Sequence, residues 1–166
     1  MKSIRAAFWS LLLILFGCST APSKAPTSTG FYPEVTEDRK SAWQNMVGNW
    51  YGSMPLENGG TYAWLISRNI FGKYKLEGKI HSPNGEVKTQ IEIGEWGIGG
   101  GVYFSIFKGW VEHNEFIPND QSDPYYRDVY KIISLDNKKL TYKHLDSGQT
   151  YSVVKVDDSY VLSDKL

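Results

Sequence analysis

The 166-residue chain has a single cysteine, Cys18. One thiol forms no internal disulfide and supplies no multi-cysteine metal site, which excludes a disulfide scaffold and a zinc ribbon. Charge of one sign is also lacking: 18 Lys and Arg stand against 18 Asp and Glu. Without a dense basic patch there is little to neutralise a row of phosphates, so nucleic acid is not an expected partner. The three histidines, His81, His113 and His144, lie far apart without the paired spacing of a metal motif, and no serine sits in a Gly-x-Ser-x-Gly turn. The glycine-rich stretch at 94–101 has no following Lys-Ser/Thr and enters a strand, so it is no phosphate-cradling loop. No metal, cofactor or catalytic residue is expected, and the chain reads as a non-enzyme. Aromatic residues are abundant instead: seven Phe, eleven Tyr and six Trp, ample for the core of the one domain that this length allows.

Long apolar runs are confined to the N-terminus. Lys2 and Arg5 precede a nearly unbroken apolar stretch at 6–16, the layout of a secretory signal peptide. Eleven residues at about 1.5 Å rise span roughly half of a ~30 Å hydrocarbon core, too little for a permanent transmembrane helix. The stretch ends in Leu15-Phe16-Gly17-Cys18, which resembles the bacterial lipobox. That resemblance implies cleavage after residue 17 and a lipidated Cys18 carrying a diacylglyceryl thioether and an amide-linked acyl chain such as palmitate. More than one chain gives stable anchoring, at about 0.8 kcal/mol per buried methylene. Ser19 replaces the Asp that, in Gram-negative lipoproteins, favours inner-membrane retention. The expected location is therefore the cell envelope, lipid-anchored at the outer membrane and facing the periplasm. Loss of Lys2 and Arg5 would leave the mature chain with a net charge of −2.

Three regions follow: a signal peptide at 1–17, the lipidated cysteine with a Ser/Thr/Pro-rich flexible tether at 18–33, and a folded domain at 34–166. Within 36–47, Glu37 and Asp38 suit a helix N-terminus, and Trp43, Met46 and Val47 recur on one face. A short helix ending at Gly48 is predicted. After it the period becomes two. In 73–80, Tyr74, Leu76, Gly78 and Ile80 share one face and charged residues the other. Similar runs occupy about 48–54, 61–68, 86–95, 102–110, 125–135, 139–145, 149–156 and 159–163, separated by turn residues such as Asn58-Gly59 and Asn84-Gly85. Eight or nine consecutive short strands form a meander, which avoids exposed edges most simply by closing into an up-and-down barrel. The expected class is all-β: a small antiparallel barrel preceded by one short helix. Its interior is either filled by side chains or wide enough for one small ligand.

The segment Val47-Gly48-Asn49-Trp50-Tyr51-Gly52, directly after a helix, resembles the Gly-x-Trp signature of the lipocalin and broader calycin group. The resemblance implies that Trp50 plugs the closed end of a barrel that Gly48 leads into, and that a small hydrophobic ligand is held inside. In that family the tryptophan often packs against a late arginine. Here no arginine follows Arg127.

Candidate ligand contacts are aromatic: Tyr62 and Trp64 on one strand face, Val102, Phe104 and Ile106 on another, and Tyr126, Tyr130 and Ile132 on a third. Arg68 and Arg127 are candidates to pair with a ligand carboxylate or phosphate. The segment 117–128 is the longest irregular piece, and its Asp120, Asp123 and Asp128 are oxygen donors without EF-hand spacing, read as a solvated acidic loop. Two functions follow. The first is a membrane-anchored carrier of a small apolar or amphipathic ligand such as a lipid or fatty acid. The alternative is a non-enzymatic interaction or inhibitor module with a filled barrel, its rim loops contacting another envelope protein.

Overall fold

The computed structural model describes residues 37–165; the apolar leader, Cys18 and the tether lie outside the described residues. A helix, α1 (Glu37–Met46), is followed by nine strands: β1 (Gly48–Pro55), β2 (Thr61–Arg68), β3 (Lys73–His81), β4 (Val87–Gly99), β5 (Val102–Glu112), β6 (Glu115–Pro118), β7 (Arg127–Leu135), β8 (Lys139–His144) and β9 (Thr150–Val156). Antiparallel ladders run in the order β4-β3-β2-β1-β9-β8-β7-β5, and β5 pairs back onto β4. Eight strands therefore close into a barrel without a free edge, and β6 is an extra strand on the far end of β5. The predicted meander and helix are both present.

Alternation places Trp50, Gly52, Trp64, Ile66, Tyr74, Trp96, Tyr103, Tyr142 and Val153 on the inner face, where all are buried. So many large rings fit inside one small barrel because glycines face them. Trp64 lies across Gly52, Tyr62 across Gly78, and Tyr74 across Gly94. A Cβ on Gly94 would overlap both the Tyr74 ring and the Ile106 carbonyl. Gly94→Ala is therefore expected to destabilise the barrel by about 1–3 kcal/mol, the usual cost of overpacking. A denaturant midpoint equal to that of the parent protein would refute this packing account.

Two elements differ from the sequence expectation. The segment 159–163 adds no strand. A turn closed by the Tyr160 amide on the Asp157 carbonyl sends the chain back over the outside of β1–β3 as a strap. Leu162 is buried there, and the otherwise buried Lys79 ammonium donates to the Leu162 carbonyl (2.9 Å) and the Asp164 carboxylate (2.6 Å). Conversely, 115–118 forms β6, reached through a turn in which His113 and Asn114 both adopt positive φ (51° and 65°). Alternating polarity cannot announce a strand whose residues are all exposed, as these are.

Candidate functional site

The end of the barrel next to α1 is closed by side chains. Trp50 and Met46 are fully buried, and the Trp50 indole donates to the Met46 carbonyl (2.9 Å), tying the helix end to β1. Trp43 stacks on Trp96 with ring centroids 4.3 Å apart. The cation that faces Trp50 is Lys155, whose ammonium lies 5.2 Å from the ring centroid and donates to the Asn45 carbonyl (3.1 Å). A lysine from the last strand thus stands over the tryptophan where the resemblance implied a late arginine. Burial lowers its pKa.

Above this plug the interior is a web of rings. Tyr103 stacks on Tyr130 (5.0 Å) and Tyr142 on Tyr151 (5.3 Å), while Tyr130 meets Tyr142 edge to face (5.2 Å). Between them remains a cavity of about 100 Å³, lined by Trp64, Tyr74, Tyr103, Phe107, Tyr130 and Tyr142 and by the polar Glu92, Ser105 and Asp128. Burial pushes the phenols of Tyr74, Tyr130 and Tyr142 well above the usual tyrosine range. Tyr62 is pushed up to about 12, first by burial and then by the charge of Glu92. Larger grooves of about 550 and 520 Å³ lie on the outer surface beside β1–β9 and beside α1.

Two carboxylates line the cavity. Glu92 accepts from Gln90 Nε2 (3.3 Å), and its pKa is raised to about 7, mainly by burial and secondarily by Asp128. Asp128 is half-exposed and pairs with His144 Nε2 (3.2 Å). The Ser147 amide donates to His144 Nδ1 (3.0 Å). The ring proton of the neutral imidazole therefore sits on Nε2, and the contact with Asp128 needs no positive charge on the histidine.

Of the sequence candidates, Tyr62, Trp64, Tyr130 and Arg68 face inward. Arg68 is only 3% exposed; its Nη2 donates to the Tyr103 hydroxyl (3.1 Å), while Nε and Nη1 have no hydrogen-bond partner among the described residues. Phe104 is on the opposite face. It is 40% exposed and covers Gly97 from outside, so Tyr103, Ser105 and Phe107 are the inner residues of β5. Both faces of that strand are apolar, and Ser105 at an inner position disguises the period. Arg127 is also outside: it donates to the carbonyls of Asp123 (2.9 Å) and Gln121 (2.6 Å) and pins the 121–127 loop. The three loop aspartates do not gather. Asp120 accepts from Ser122, Asp123 caps the 3-10 turn at Pro124–Tyr126, and Asp128 turns to His144. Glu92, Tyr74, Tyr103 and Tyr142 were not singled out by sequence, although the predicted inner face of 73–80 contains Tyr74.

An eight-strand up-and-down barrel, a helix before its first strand and a buried Gly-x-Trp tryptophan at its closed end now stand together. The fold is lipocalin-like. Among solved structures, the chain is similar to a lipocalin-like protein from Bacteroides uniformis at 14% identity, with a TM-score of 0.42, over 68% of this chain and 99% of that one. No protein-family profile matches the chain. No curated protein matches it either. Among the described residues, the lipocalin-like barrel packs aromatic rings around a small, partly polar interior cavity.

Proposed function

We propose that the chain is a lipid-anchored lipoprotein of the cell envelope, held at the outer membrane through Cys18, whose barrel binds a compact amphipathic molecule without transforming it. The observation that carries the binding reading is the cavity itself, ringed by aromatic faces, with polar groups converging on one side and an ionisable carboxyl displaced from its usual range. Its volume narrows the ligand. About 100 Å³ is well below the roughly 300–1,000 Å³ of pockets that engulf drug-sized molecules. A group of a few heavy atoms fits; a long acyl chain such as palmitate does not. Support for the anchor is the Leu15-Phe16-Gly17-Cys18 sequence and the Ser/Thr/Pro tether after it.

Native mass spectrometry of protein purified gently from an envelope lysate tests the binding reading: a discrete extra mass, lost on denaturation, is expected. A clean apo mass that persists across gentle preparations would count against it. For the anchor, Cys18→Ser is expected to move the protein from the membrane pellet to the soluble fraction, and firm membrane association of that variant would remove the lipidation proposal.

The nearly filled interior favours a second reading, an interaction module. Its contact surface would be the rim beside β6, where Phe116, Ile117 and Tyr125 are exposed, Tyr125 at 82%. Under that reading, polar substitution of Tyr125 abolishes partner capture and leaves ligand mass unaffected.

A further inference from the structure

We propose that the interior cavity is a site for a small organic cation, a protonated amine or a methylated ammonium group, seated between Glu92 and Asp128 against the tyrosine rings. The inference rests on the binding reading above and adds the chemical class of the ligand.

The cavity is lined by acidic side chains, Glu92 and Asp128. The one buried guanidinium nearby, Arg68, lies behind Tyr103, with its central carbon 4.8 Å from that ring's centroid. With both carboxyls ionised, these three groups sum to one negative charge. His144 adds none in the tautomer that accepts the Ser147 amide at Nδ1 and donates from Nε2 to Asp128. A single positive charge completes the balance. No lysine or arginine lines the cavity beside the two carboxyls. A proton on Glu92 is the alternative way to reach neutrality, so cation and proton compete for one place.

Tyr74 and Tyr142 are 6% and 7% exposed, line the cavity, and have no hydrogen-bond partner for their hydroxyls among the described residues. A phenol oxygen open to that cavity can accept from an N–H donor or from bound water. Tyr130, Trp64 and Phe107 present ring faces and edges around the same space. Aromatic walls attract cations through the ring quadrupole, by about 2 kcal/mol or more once desolvated. An anion would meet two carboxyls, while the guanidinium of Arg68 does not line the cavity and donates to the Tyr103 hydroxyl.

Isothermal titration calorimetry on the full-length protein in detergent distinguishes these cases, using methylammonium, tetramethylammonium, acetate and the uncharged tert-butanol as probes. One or both cations are expected to bind, acetate and tert-butanol at least tenfold more weakly. Affinity for the cation should rise between pH 6 and 8 as Glu92 gives up its proton, with Asp128, Tyr62 and Tyr74 the other titratable groups facing it. Glu92→Gln and, independently, Asp128→Asn should each weaken cation binding at least tenfold while the circular dichroism of the barrel is retained. Absence of cation binding overturns the inference, as does binding unaffected by both variants. Acetate binding that is lost in Arg68→Met would replace it with an anionic ligand. If all four probes fail but native mass spectrometry shows a retained ligand, this inference falls and the broader binding reading stands. If neither shows a ligand, both fall.

Discussion

Trp50→Ala is expected to remove about 3–5 kcal/mol from the stability of the barrel, the range for deleting a large aromatic from a core. The side chain is fully buried at the closed end, where it fills the space between α1, β1 and β9. Its loss also leaves the Met46 carbonyl without its indole donor and the Lys155 ammonium without a ring to face. Because a domain of this kind is stable by only about 5–15 kcal/mol, the variant should be substantially unfolded at moderate urea. Trp50→Phe separates the two contributions. It keeps most of the buried surface and loses the indole donor, so a smaller loss, about 1 kcal/mol, is expected. Equal midpoints for Trp50→Ala and the parent in urea unfolding would show that the helix and the strand ends close the barrel unaided.

Glu92→Gln should stabilise the folded protein above neutral pH. In the fold, Glu92 keeps its proton up to about pH 7; in the unfolded chain it loses it near 4.5. Between these values the native state binds the extra proton, so stability contributed by this group is present in acid and declines as pH rises through the window. The decline amounts to about 3 kcal/mol at most, from roughly 1.4 kcal/mol for each unit of displacement. Glutamine carries no titrating proton and removes that dependence. Urea unfolding of the two proteins at pH 4.5, 6 and 8 should give similar stabilities at the lowest value and a growing advantage for the variant above it. Parallel pH profiles would mean that Glu92 is solvated. The same substitution is expected to weaken cation binding, so stability and ligand affinity should move in opposite directions at one residue.

The fold was largely legible because barrels repeat a simple rule. Alternation in 73–80, glycine-bearing turns and the helix before Gly48-Asn49-Trp50 were enough to place α1 and the eight barrel strands to within a few residues. The site was less legible. Ile91-Glu92-Ile93 alternates in the opposite sense to the barrel wall, since the glutamate faces in while Ile93 borders an outer groove. Polarity alone turns that segment inside out. On β5, Tyr103 and Phe104 offer equal apolarity to both faces, and only pairing with Tyr130 and the cover over Gly97 decides between them. Lys155 took the place of the late arginine because a cation–π contact needs a positive charge at the right height, not a particular side chain. No local signal in the sequence predicts that height; it follows from the register of Lys155 opposite Trp50.

The same register governs the order of events in folding. The ladders from β1 to β5 join near neighbours along the chain, and β3 pairs with β4 over its whole length. The join between β1 and β9 is different: Asn49 meets Val156, Trp50 meets Lys155 and Tyr51 meets Val154, with Asn49 reaching on to Asp158 (3.2 Å) as a latch. Loop closure makes such distant partners late to meet, and chains dominated by non-local pairing fold in milliseconds to seconds. The join of β9 to β1 is therefore expected to be among the last contacts to form. Burial of Trp50 is expected with that step, and the difference in fluorescence time course between the parent and Trp50→Phe would time it.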